Sequence, residues 1–161
     1  PKIVDGLSGV VDYMKNYPYG CMEQRISVAV ALRDAALWKK WMSELPSYLD
    51  SDGLVKYFPT GVYGSPTLTS YILAIGHEAG WSVPDETRER METALRRFVE
   101  GSLLRSSPMP TADLTLRKLS AIEALSRGKK ADAKDLLTRL LAKNPSPDVK
   151  VEAQKLLDSL K

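Results

Sequence analysis

Apolar residues recur along almost every segment of this chain at the three- and four-residue spacing of one helix face. Leu7, Val10, Val11 and Met14 make the first such face, which ends before Tyr17-Pro18-Tyr19-Gly20. A segment from Glu23 to Leu45 follows, carrying Ile26, Val28, Ala29, Val30, Leu32, Ala35, Ala36, Leu37, Trp38, Trp41 and Met42. These cover most of a helix circumference and predict one long helix, buried on nearly all sides and closed by Pro46. From Asp50 to Gly64 the pattern lapses into a Gly- and Tyr-rich stretch, with Leu54 to Phe58 as a short extended piece. Ser65-Pro66 then opens a helix striped by Leu68, Tyr71, Ile72, Ile75 and Ala79 and ended by Gly80.

Asp85 and Glu86 suit the positive end of the next helix, whose face is Met91, Ala94, Leu95, Phe98 and Val99. Beyond a Ser/Pro loop at Ser106 to Pro110, Asp113 is the expected cap of a helix with Leu116, Leu119, Ile122 and Leu125, halted by Gly128. Ala133, Leu136, Leu137, Leu140 and Leu141 mark another, stopped by Asn144-Pro145. Ser146-Pro147 starts the last, with Val149, Ala153, Leu156, Leu157 and Leu160 on one face. Seven helices joined mostly by short connections predict an all-α fold of antiparallel hairpins. Very apolar and one-sided helices alternate loosely, as inner and outer layers of a helical toroid or solenoid would, although no repeat is strict.

Composition adds limits. With 161 residues, 43% apolar and 27% charged, the chain is one domain of ordinary globular make-up. No apolar run approaches the roughly 18 residues of a membrane span. The chain begins Pro1-Lys2-Ile3 and stops within an apolar-periodic segment, so we expect a piece of a longer protein. The 23 Lys+Arg exceed the 20 Asp+Glu by three. Much of that excess lies in Arg88 to Arg105 and Arg117 to Lys134, where acids interrupt both stretches. Those are the solvated faces of helices rather than the clean basic stripe of a nucleic-acid reader. One cysteine, Cys21, and one histidine, His77, exclude an internal disulfide, a cysteine zinc site and a histidine cluster.

The chemistry concentrates in Tyr17-Pro18-Tyr19-Gly20-Cys21-Met22-Glu23-Gln24. The cysteine stands at the mouth of a predicted helix, where free backbone N–H groups and the helix dipole favour a thiolate. Gly20 permits a sharp turn into that helix. Gln24, three residues on, brings a side-chain amide within reach of the sulfur. Attack of the thiol on that amide, with loss of ammonia, yields a thioester, which is an activated acyl group that water destroys unless it is enclosed. Tyr17 and Tyr19 are candidates for part of that shelter. The plain alternative for Cys21 is a small buried hydrophobe.

The octapeptide resembles the thioester sequence of the alpha-2-macroglobulin and complement family, in the form found in its bacterial members, with Met22 where an aliphatic residue is common. Asp52 to Pro59 resembles that family's Gly-Gly-Phe…Trp-Pro loop in degraded form, with Leu54-Val55 as the departure. Gly64 to Tyr71 is similar to its helix opening, and Glu78 to Pro84 to its Gly-aromatic-x-Val-Pro turn. Ala112 to Leu119 and Ala124 to Gly128 are similar to a later bacterial segment. The resemblance implies an alpha/alpha toroid, of which residues 1–161 would be a single partial domain, the first half or somewhat more. It implies a covalent trap for proteases rather than a turnover enzyme, with no cofactor or metal. Cys21 would be the thiol leaving group, Gln24 the acyl donor and Glu23 a positioning acid. The expected partners are proteases and other domains of the same parent chain, without nucleic acid. The expected location is the periplasm, with contact to the inner membrane only through a lipid anchor on the missing part.

Two other classes stay open: a helical interaction module whose thioester never forms, and a cysteine-nucleophile enzyme, which needs a base that nothing in the sequence ties to Cys21. His77 reads as a surface or capping residue, and Trp38 and Trp41 as core. Tyr57, Phe58 and Tyr63 read as a packed loop, although they are placed to rim a site. Glu86, Glu89 and Glu92 read as surface ion pairs among arginines.

Overall fold

The computed structural model describes residues 20–105 and 111–161, together with Gly9, Asp12, Tyr13 and Asn16. The helix face expected over Leu7, Val10, Val11 and Met14, the residues Tyr17, Pro18 and Tyr19, and the Ser106 to Pro110 loop lie outside the described residues. Those described form seven helices and no strand: α1 (Met22–Ala31), α2 (Ala35–Tyr48), α3 (Pro66–Ala79), α4 (Asp85–Glu100), α5 (Thr111–Ser126), α6 (Lys130–Ala142) and α7 (Pro147–Ser159). The all-α expectation holds.

Two layers are visible in the packing. Helices α1, α3, α5 and α7 contact one another in that order, while α2 packs on α1, α4 on α3 and α5, and α6 on α5 and α7. The inner α3 has the most apolar sequence and buries Leu68, Ile72 and Leu73; the outer α4 buries one face through Met91, Ala94, Leu95 and Phe98. Gly76 lets α3 approach α2 closely, since a Cβ there would stand 2.9 Å from the Trp38 ring. Trp38 is buried and its indole N–H donates to the Ser82 carbonyl at 3.0 Å.

The single long helix expected from Glu23 to Leu45 is broken. Arg33 takes φ 52, donating to the Val30 carbonyl at 3.0 Å, while the Asp34 N–H reaches back to Ala29 at 2.9 Å. This paired closure ends α1, a task that glycine usually performs. Asp34 then caps α2, its side chain accepting from the Leu37 N–H at 2.9 Å. The break turns an all-round apolar pattern into two one-sided helices, leaving Ala31, Ala35 and Ala36 exposed. Pro46 lies inside the last turn of α2 rather than after it, and the helix runs on to Tyr48. Near the C-terminus of a helix its missing N–H forgoes a single backbone bond. Helix α5 begins at Thr111, so Asp113 falls within its first turn instead of capping it. In place of an extended piece over Leu54 to Phe58 there is one antiparallel bridge, Leu49 to Val55. Glu92 is also not a surface acid: it is buried on α4 and paired with Lys129 at 2.9 Å.

Candidate functional site

Cys21 is the N-cap of α1, in extended conformation (φ −68, ψ 156) and 7% exposed. Its side chain faces the Gln24 backbone N–H, while its own N–H donates to Gln24 Oε1 at 3.3 Å. The reciprocal pairing of a capping box therefore brings together the two side chains that the sequence singles out. Serine or threonine commonly takes this position; here it is a thiol. The Cys21 N–H also lies on the amide carbonyl that the sulfur would attack. A donor on that oxygen stabilises the negative charge that builds there during acyl transfer.

At the helix mouth the Cys21 and Met22 N–H groups are occupied rather than free. Met22 N–H donates to the Tyr57 carbonyl at 2.9 Å, which lays the 50–64 loop across the start of α1. Met22 itself is fully buried, and Glu23 is exposed in the first turn, at the end of the helix that favours an acid. Gly20 serves a spatial purpose that sequence reasoning missed. A Cβ there would stand 3.2 Å from Arg25 Nη2. Arg25 in turn donates to the Tyr48 hydroxyl at 3.0 Å and to Glu44 at 3.4 Å, with its guanidinium carbon 4.6 Å from the Trp41 ring centre. It fastens α1 to α2 beside the cysteine. Ser27 and Tyr71 share a hydroxyl hydrogen bond of 2.8 Å that fastens α1 to α3.

The loop is built around Asp50. Its Oδ1 accepts from the N–H of Asp52 (3.0 Å) and Leu54 (2.9 Å), and its Oδ2 from Gly64 N–H (2.7 Å) and Arg105 (2.8 Å). Burial pushes the Asp50 carboxyl upward, but the Gly64 N–H, Arg105 and the Leu54 N–H outweigh it and hold the group below its ordinary value. Asp52 is held low chiefly by its hydrogen bond to Arg105. Gly64 has no room for a side chain, since a Cβ would fall 2.2 Å from the Leu54 carbonyl oxygen. No sequence reasoning above assigned Asp50 or Arg105; an Asp-x-Asp-Gly turn was the available signal for the first, and nothing local marked the second.

Tyr57, Phe58 and Tyr63 are exposed rather than packed inward, Tyr63 by 75%. They border the loop that meets α1. His77 is exposed in the last turn of α3, and among the described residues no hydrogen bond joins it to Cys21. No group of three His, Cys, Asp or Glu is placed to hold a metal among the described residues, and none of their helices is long and apolar enough to cross a membrane.

No protein-family model matches the chain, and no curated protein matches it. Three solved structures do. Native alpha-2-macroglobulin from Escherichia coli, in a crystal structure spanning domain MG7 to the C-terminus, superposes with a TM-score of 0.68 at 18% identity, over 95% of this chain and 30% of that one. The native conformation of the E. coli protein by cryo-electron microscopy gives 0.65 at 18% identity, over 95% of this chain and 12% of that one. Salmonella alpha-2-macroglobulin reacted with methylamine gives 0.65 at 21% identity, over 96% and 12%. The chain thus spans less than a third of each of these proteins. In fold, it is similar to a helical region of bacterial alpha-2-macroglobulins.

Proposed function

We propose that this chain carries the thioester-forming site of a bacterial alpha-2-macroglobulin-like protease inhibitor. The observation that supports it most is the reciprocal Cys21–Gln24 pairing at the mouth of α1. In the forming step, the Cys21 sulfur bonds to the Gln24 side-chain carbonyl carbon, the carbon–nitrogen bond breaks, and the thiol proton leaves with the nitrogen as ammonia. In the trapping step, an amine attacks the same carbon, an amide forms, and the Cys21 thiolate departs and takes up the proton. The Cys21 N–H serves as donor to the carbonyl oxygen in both steps. Each chain reacts once, so the site is a trap and not a turnover catalyst. The Salmonella relative's reaction with methylamine is the behaviour that such a bond would give.

The proposal extends to the parent protein. Its other domains would shelter the bond, a protease cut elsewhere would expose it, and a lysine of the protease would be acylated. The parent would be periplasmic and anchored to the inner membrane by a lipid outside these residues. A cysteine-nucleophile enzyme has less in its favour, because the one histidine lacks any hydrogen bond to Cys21 among the described residues. Challenge of the parent with an active protease should give a covalent adduct that survives denaturation, and Cys21→Ala should abolish it while leaving the helical content unchanged. An undiminished adduct in that variant would refute the reading.

A further inference from the structure

Arg105 follows α4 in sequence, yet its side chain is spent on the 50–64 loop. Nη2 donates to Asp50 Oδ2 at 2.8 Å and to Asp52 Oδ2 at 2.7 Å, and the guanidinium carbon lies 5.3 Å from the centre of the Tyr63 ring. One cation therefore grips the neck of the loop and touches its far limb. The side chain is 12% exposed, and its carboxylate partner Asp50 is 1% exposed. Arg97 of α4 adds a second hold on Asp52 at 3.2 Å. From this neck the loop extends to α1, where the Tyr57 carbonyl takes the Met22 N–H, one residue from Cys21.

We propose that Arg105, with Asp50 and Asp52, is the positioning group of the Cys21–Gln24 site. It holds the loop on the N-terminus of α1 and so sets how readily a reagent in solution reaches Cys21. The assignment rests on the reading of that site as thioester-forming. Loss of the guanidinium leaves the Asp50 carboxylate buried without its countercharge, leaves Asp52 with Arg97 alone, and releases the contact to Tyr63. The neck then opens more often without unfolding of the helices, and the Met22 N–H loses its acceptor during each opening.

The test uses the 161-residue chain and two rates. One is hydrogen–deuterium exchange of the Met22 amide relative to the Leu95 amide in the buried face of α4. The other is alkylation of Cys21 by iodoacetamide after methylamine has opened any thioester. Arg105→Gln should raise both roughly tenfold, the size expected for losing hydrogen bonds to a charged group. Asp52→Asn should raise both by less, and Arg105→Lys should recover part of the loss. Arg139→Gln, which removes pairs to Glu100 and Asp135, should change neither. Unchanged rates in Arg105→Gln would overturn the proposal, as would a Met22 rate that rises only in step with Leu95 or an unaltered alkylation rate. If Arg105→Gln fails to fold, Asp52→Asn decides by the same criteria. Neither rate requires an intact acyl bond. A parent that takes up no methylamine would therefore sink the reading of the site, while these rates still decide the positioning role.

Discussion

From Thr111 to Ser159 the chain is held by apolar side chains recurring on one face of each helix, with Ile122, Leu125 and Leu137 almost wholly buried. From Asp50 to Gly64 only Leu54 and Val55 are buried apolar side chains. The rest of the loop is held by the carboxylates of Asp50 and Asp52, the guanidiniums of Arg105 and Arg97, and a set of backbone N–H groups. The first region spreads its stability over many interchangeable contacts, so losing one weakens the whole array evenly. The second concentrates it in a few directional bonds that succeed or fail together. The loop that reaches the start of α1 is anchored in the core by Leu54 and Val55 but belongs mainly to the second kind, so on this account access to Cys21 is set chiefly by polar geometry.

Leu137→Ala is the largest expected effect in the helical array, a loss of about 2–5 kcal/mol in urea unfolding from the deleted side chain and the cavity it leaves. Amides throughout the core should then exchange faster together. Gly64→Ala attacks the other region: the added methyl group meets the Leu54 carbonyl, and the backbone must move, at roughly 2–3 kcal/mol. Its signature is different, because the Met22 amide should speed up well beyond the α5 to α7 amides. Equal acceleration in both variants would erase the distinction between the regions.

Acid should separate them as well. The Asp50 and Asp52 carboxyls are both held below their ordinary values in the folded chain. Their contribution is therefore complete above the unfolded carboxylate value of about 3.9 and is lost as pH falls through the lower folded one. Below about pH 4 the Met22 exchange rate, corrected for intrinsic chemistry, should rise before helix signal is lost. A loop that opens only together with the helices would contradict this. The smallest effect is expected at the α1–α2 junction. Asp34→Ala removes the cap of α2 and should cost about 1 kcal/mol, read as a small fall in the urea midpoint.

The same contrast explains what the sequence revealed. The helices α3 to α7 were legible because each carries its own periodicity, and some a clear stop, such as Gly80 at φ 74. Gly101, at φ 90, ends α4 in the same way and was not singled out. The α1–α2 break was hidden because Arg33, not glycine, adopts the left-handed turn, and because apolar residues run straight through it. The Cys21–Gln24 pair was legible because its geometry is local, three residues within one helical turn. The loop was not, since Asp50 meets Arg105 across 55 positions and Met22 meets Tyr57 from another element. Periodicity carries no trace of such pairings. Arg25 was missed for the same reason: its role depends on Glu44, Tyr48 and Trp41 of the following helix.

The central claim is that Cys21 and Gln24 are joined in the intact parent, and thiol titration with peptide mass analysis before and after methylamine tests it most directly. The account predicts no titratable Cys21 before treatment, and afterwards one free thiol with a methylamide at Gln24. A Cys21 that reacts fully in the untreated parent, with Gln24 unmodified after methylamine, would contradict it.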